Sequence, residues 1–221
     1  MKIIPFEMKY FAKVLKKDYN LRMNSTSQAF IDYALQFAGA SSTNERMDEY
    51  LDLLSRGCET KQVRKDMGKM SSCALFVRGL WWAFGAEHDI YKRPYRAGNA
   101  PIDVLKVGKD AGAYISGREL GKNRHPHAGD AFYIATTAGK REHFGIFTKE
   151  LSMQSGAWKF ETVEGGQGLG GRAIGKLNRT IFKSSNPLGA IGDRALIGWF
   201  DLSAMHLPGL RPELRENNPH K

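Results

Sequence analysis

The stretch "KMSSCALFVRGLWWAFG", residues 69–85, sets a cysteine directly behind two serines and at the head of an apolar run. From Ala74 to Phe84 the apolar side chains go almost all the way round a helical wheel, which predicts a helix inside the core rather than on the surface. Ser71 and Ser72 are good N-cap residues, so Cys73 falls in the first turn. Backbone N–H groups and the positive end of the helix dipole stabilise a thiolate there, and the thiolate is the reactive form. An isolated cysteine in apolar surroundings is more often a small core residue, so chemistry at Cys73 requires a second group.

Upstream, "TSQAFIDYALQFA" (26–38) predicts a helix with Phe30, Tyr33, Ala34 and Phe37 on one face, capped by Ser25 or Thr26 and stopped by Gly39. "NERMDEYLDLLSRG" (44–57) predicts another, with Met47, Tyr50, Leu51 and Leu54 on one face. Downstream, residues 86–124 are rich in Gly, Pro and charge and read as an insertion of loops around one short helix near Pro101–Gly108. Short aromatic and β-branched runs follow: "AFYIAT", "EHFGIF", "WKFETVEG", "RTIFK" and "ALIGWFDL". They predict an antiparallel meander, with "TKELSMQSGA" and "SSNPLGAIGD" as loops. Helices first and strands after give an α+β fold.

Of the six histidines, His143 alone falls within a predicted strand. Alternation in "EHFGIF" places His143, Gly145 and Phe147 on one face, so an imidazole stands on rigid scaffold beside a residue without a side chain. Pairing this strand with "WKFETVEG" about a loop centred near Met153 sets His143 close to Thr162, with Glu164 one diagonal step away. A thiol, an imidazole and a carboxylate in that relation form a nucleophile, a base and a group that fixes the tautomer of the base. Glu161 falls on the opposite face and reads as a surface charge. Gln167, in the turn "EGGQGLGG", is a fourth polar candidate.

The order of these pieces, "SSCALFVRGLWWAFG", "HPHAGDAFYIA", "EHFGIF", "TVEGGQ" and "ALIGWFDL", resembles the NlpC/P60 and CHAP cell-wall amidases over roughly residues 25 to 205. The resemblance implies a papain-like α+β fold with N-terminal helices, the nucleophile helix packed on a central antiparallel β-sheet. It implies a cysteine peptidase or amidase that cleaves amide bonds of peptidoglycan stem peptides through a thioester. Cys73 is then the nucleophile, His143 the base and Glu164 the orienting group, with Ser72 and Gln167 as candidates for the oxyanion and substrate contacts. Ser72 replaces the Asp or Asn that many members carry before the nucleophile, and Gly166 stands where many CHAP-type domains have Asn. Those departures leave the oxyanion donors and the subfamily open. A deamidase, a protein protease or an acyltransferase would use the same three groups, and a non-catalytic basic binding domain is the alternative outside enzymes.

Composition sets the remaining bounds. The 221 residues suit one domain over 25–205, flanked by a basic extension (1–24) and a polar tail (206–221) that is expected to fray. A net charge of +10, spread over residues 1–24, 61–78 and 172–194, draws a polyanion such as peptidoglycan or another anionic wall polymer. Nucleic acid is the less favoured partner, because no zinc-finger spacing, RNP-like pattern or basic recognition helix accompanies the charge. No window is apolar enough for a membrane span, and the lysine-interrupted start does not read as an export signal. A wall hydrolase so built is expected to be made in the cytoplasm and delivered by a secretion apparatus or a phage lysis system, with any delivery or inhibitor partner left open. Cys58 and Cys73 form no CxxC pair, so free thiols are expected, with a Cys58–Cys73 disulfide as the alternative. The pair His125 and His127 in "HPH" offers too few ligands for a metal, and neither a metal nor a cofactor is expected.

Overall fold

A computed structural model of the chain describes residues 25–58, 72–93, 99–122, 124–136, 141–154, 156–168, 171–183 and 188–215. The basic extension, 1–24, and the last residues of the tail, 216–221, lie outside them. Helices α1 (Ser25–Gln36), α2 (Met47–Ser55) and α3 (Cys73–Ala83) form where the apolar spacing places them, and α4 (Ala100–Asp110) is the short helix of the 86–124 insertion. Every residue of α3 except Trp82 is buried, as its wrap-around apolar pattern requires. Its one charged side chain, Arg78, is paired with Asp103 of α4 at 3.4 Å and donates to the carbonyls of Arg56 and Gly57 at 3.1 and 2.8 Å. That satisfies a cation which would otherwise be costly to bury.

Strands β1 (Tyr114–Ser116), β2 (Ala131–Ala135), β3 (His143–Gln154), β4 (Ala157–Gln167), β5 (Ala173–Phe182), β6 (Ala190–Ile191) and β7 (Arg194–Phe200) pair antiparallel throughout. Their order runs β7-β2-β3-β4-β5-β6, and β6 returns to β7 through Ala190↔Ala195 and Ile191↔Arg194. The sheet therefore closes into a six-stranded antiparallel barrel accompanied by few helices. This corrects the expectation of a papain-like NlpC/P60-type α+β fold with the nucleophile helix on a central sheet. The closing strand β6 is two residues long and lies inside "SSNPLGAIGD", which reads as a loop because so short a strand carries no alternation. The free edge of β7 is shared end to end, β6 taking Arg194 and Ala195 and β1 taking Gly198 to Phe200.

"TKELSMQSGA" is likewise not a loop. It carries β3 and β4 on to Gln154↔Ala157, with bulges at Phe147/Lys149 and Glu150/Ser152. Bulges bend a strand and raise its twist, which closure of a small barrel needs. They also hide the period-2 signal from the sequence.

Alternation along the strands separates two cores. Phe132, Phe147, Trp158, Phe160, Ile181 and Trp199 form one cluster and fill the barrel. Tyr133, Phe144, Ile146 and Val163 point outward and join Phe30, Tyr50, Phe76 and Trp81 of the helices in the other. Fully burying each large aromatic or aliphatic side chain of this kind contributes roughly 1.5–3 kcal/mol. Helix α3 lies on the outer wall at Gly165, where an added Cβ would stand 2.7 Å from the Ser72 carbonyl oxygen and 2.8 Å from Phe76 Cβ. Only glycine permits that approach. The tail docks as far as Arg215, against the expected fraying: the Arg211 backbone N–H donates to Ala83, and its guanidinium sits 4.5 Å from the Trp82 ring centroid. Among the described residues no helix is long and apolar enough to cross a membrane.

Candidate active site

Cys73 is the first residue of α3 and is buried. Ser72 precedes it at the N-cap position, yet its hydroxyl makes no cap bond to its own helix. The Ser72 Oγ instead accepts from the Gly166 N–H at 2.8 Å and lies 3.4 Å from the Gly171 carbonyl oxygen. Ser72 is fully buried, so it ties the head of α3 to the end of β4 and presents no hydroxyl to a substrate. The capping role expected of it is thus replaced by a tertiary one.

His143, the first residue of β3, is buried beside the Phe132 ring, whose centroid is 6.1 Å away. Its Nε2 is 2.7 Å from Glu164 Oε2, which leaves Nδ1 for the thiol. Burial alone would lower the imidazole pKa, but hydrogen bonds to Cys73 and Glu164 outweigh it and raise the value to about 8. At neutral pH the ring therefore favours its cationic form, as befits a partner of a thiolate.

The β3–β4 register differs from the expected one. The ladder pairs Ile146 with Val163 and Phe147 with Thr162; continued toward the barrel mouth, it sets Gly145 across from Glu164 and His143 across from Gly166. Glu164 is still one diagonal step from His143, on the other side of the direct partner. Gly145 is what admits it: a Cβ there would stand 2.7 Å from Glu164 Cγ and 2.5 Å from Phe132 Cζ.

Glu164 is fully buried and carries a dense set of donors. Arg179 of β5 grips it with two bonds, Nε to Oε1 at 2.8 Å and Nη2 to Oε2 at 2.7 Å. Thr162 Oγ1 donates to Oε1 at 2.5 Å and Gln167 Nε2 to Oε2 at 3.1 Å. Burial pushes the carboxyl pKa up, and the bonds from Arg179 and His143 more than reverse this, taking it to about 2. Gln167 owes its place to the irregular register between Glu164 and Gln167 on the β5 side, which returns its side chain to the face of Glu164. It is 3.5 Å from His143 Nε2 and supports the acid from the open side.

Sequence reasoning thus places Cys73, His143 and Glu164 together, and Gln167 beside them, while Glu161 lies outside in an ion pair with Lys176 at 2.8 Å. It missed Arg179. The available signal was Ile181 two positions on, an inward residue: an arginine on the same alternation demands a buried anion. Cys58 is a free thiol of a different kind. It accepts from Arg78 Nη1 at 2.9 Å, and burial raises its pKa.

Thiol, imidazole, carboxylate and guanidinium thus stand in one line of alternating charge at a mouth of the barrel, above an aromatic floor. Such a line can hold a thiolate and imidazolium without net charge, then relay one proton between sulfur, ring and a bound group. Compared with protein-family models, curated proteins and solved structures, the chain matches none.

Proposed function

We propose that this chain is a cysteine hydrolase that cleaves amide bonds of peptidoglycan stem peptides through a thioester. The observation that carries the reading is the hydrogen-bonded line from Cys73 through His143 to Glu164, with Nε2 of the imidazole committed to the acid. The Cys73 thiolate adds to the amide carbonyl carbon, and the oxyanion that forms is stabilised by backbone N–H groups at the start of α3. Collapse breaks the C–N bond as the imidazolium gives its proton to the leaving amine. His143, now neutral, takes a proton from water, which attacks the thioester and releases the acid product and the thiolate. Glu164 holds the ring in the tautomer that leaves Nδ1 for these transfers, and Arg179 keeps Glu164 ionised while it does so.

Support for the wall as substrate is of a different order: the +10 charge favours an anionic polymer, and the order of motifs resembles that of cell-wall amidases. That resemblance lies in the motifs and does not extend to the fold.

Purified protein is incubated with peptidoglycan sacculi beside Cys73→Ala and His143→Ala, and released fragments are identified by mass spectrometry. Release of stem-peptide fragments by the parent alone is the expected result. No release together with a Cys73 unreactive to alkylation at neutral pH overturns the thiol-enzyme reading. No release with a reactive Cys73 overturns the substrate and keeps the chemistry.

A further inference from the structure

At the far end of β3 the fold assembles a second cluster that the thiol chemistry does not use. His125 and His127 flank Pro126 in the loop before β2, and Glu150 projects from β3. One ligand atom from each lies within 4.8 Å of the other two, and all three residues are half-buried. The imidazole rings are 4.4 Å apart, centroid to centroid. The histidine pair alone offers too few ligands for a metal; the third comes from a residue distant in sequence and is visible only in the fold.

The placement is built rather than incidental. The Gly129 N–H donates to the Phe147 carbonyl, the Phe147 N–H to the Asp130 carbonyl at 2.9 Å, and the His127 N–H to Asp130 Oδ2 at 2.9 Å. Those bonds lace the histidine loop to β3. The bulge at Phe147/Lys149 then turns Glu150 onto the face of its partner Phe160, the side that points into the barrel. Glu150 is half-buried, and among the described residues no lysine or arginine forms an ion pair with it. A dication between two imidazoles would supply the missing positive charge.

We propose that His125, His127 and Glu150 form a site for a borderline divalent transition metal, zinc above all. Two imidazole nitrogens and one carboxylate oxygen are a donor set that zinc accepts at about 2.0–2.2 Å, with a fourth position left to water. Ligands around such an ion stand roughly 3.3 Å apart, which small side-chain rotations reach from the present spacing. Seven residues of strand at about 3.3 Å each put the site on the order of 20 Å from His143. The ion therefore takes no part in acyl transfer. It clamps the loop before β2 to the β3–β4 hairpin at the opposite mouth of the barrel, and the proposal stands whatever the thiol site does.

Because zinc also binds thiolates, the test uses full-length Cys73→Ala protein stripped with chelator and titrated calorimetrically with zinc chloride, then with cobalt chloride followed by visible absorption. One equivalent of zinc per chain, a tetrahedral cobalt spectrum and a raised melting temperature are expected. Adding Glu150→Gln or His127→Gln should weaken binding by about tenfold or more, since even outer-shell losses cost that much. These variants keep the loop bonds, which are backbone-borne or belong to Asp130, and far-ultraviolet circular dichroism checks that they fold. Absence of stoichiometric binding, or binding unchanged in both folded variants, overturns the proposal.

Discussion

Replacing Glu164 by glutamine keeps the shape of the side chain and removes the charge on which the site is organised. In the native protein the carboxyl group titrates at about 2 against an ordinary 4.5, held down by Arg179 and His143 despite complete burial. A gap of about 2.5 units at roughly 1.4 kcal/mol each makes the ionised form worth about 3 kcal/mol of stability at neutral pH. Breaking a buried ion pair by removing one partner typically costs about 3–5 kcal/mol, which agrees. The sign follows from the depressed value: the contribution is complete above about 4.5 and is lost as pH falls through about 2, so roughly 1 kcal/mol remains at pH 3. Urea unfolding of parent and Glu164→Gln at pH 7 and pH 3 reads this directly. The variant should be less stable by about 3 kcal/mol at pH 7 and by about 1 kcal/mol at pH 3. An equal gap at the two pH values, or one well under 1 kcal/mol at pH 7, would refute the view that a buried ionised Glu164 anchors the site.

His143 gives the complementary test. Its pKa is raised to about 8, so its contribution is complete below about 6.5 and disappears as pH rises through about 8, about 2 kcal/mol in all; the urea midpoint of the parent should fall between pH 6 and pH 9, and that of His143→Gln should not. Arg179→Gln removes the two charge-assisted guanidinium bonds to Glu164. The acid limb of kcat/KM should move to higher pH, and an unmoved limb would show that Arg179 does not set the ionisation of Glu164. Gly145→Ala forces a methyl against Glu164 Cγ and Phe132 Cζ; a loss of about 1–3 kcal/mol in thermal or urea unfolding is expected, together with slower alkylation of Cys73 at neutral pH.

What the sequence revealed and what it hid divide along one physical line. α3 was legible because an apolar run from Ala74 to Phe84 has few other ways to be buried, and β2 and the start of β3 because they are short aromatic and β-branched runs, buried on both faces. The barrel was not legible, because its closure depends on Ala190 and Ile191, two residues with no pattern, and on bulges that break the alternation of "TKELSMQ". The site follows the same rule. Cys73, His143 and Glu164 sit on regular elements whose faces can be counted. Arg179 reads as a surface charge until β5 is known to curl its Ile181 face inward, and Ser72 reads as a cap until Gly166 is found across from it.

The closed barrel also accounts for how the site is put together. His143 and Glu164 share the inward face with Phe147 and Phe160, whereas α3 lies on the outer wall at Gly165. A thiol borne by an outside helix meets an inward-facing imidazole only at the rim, where β3 begins and β4 ends, and those positions are occupied by His143 and Gln167. Ser72, bonded to Gly166 at this rim, fixes the height of α3 along the wall. The distance from sulfur to ring is therefore set by a hydroxyl and by the missing side chain of Gly165. It is not set by the acid–base groups, so Ser72→Ala and Glu164→Gln weaken the pair in separable ways: the first should slow Cys73 alkylation at every pH, the second should shift its pH dependence. A Ser72→Ala variant whose alkylation profile shifted along the pH axis without losing amplitude would contradict this division of labour.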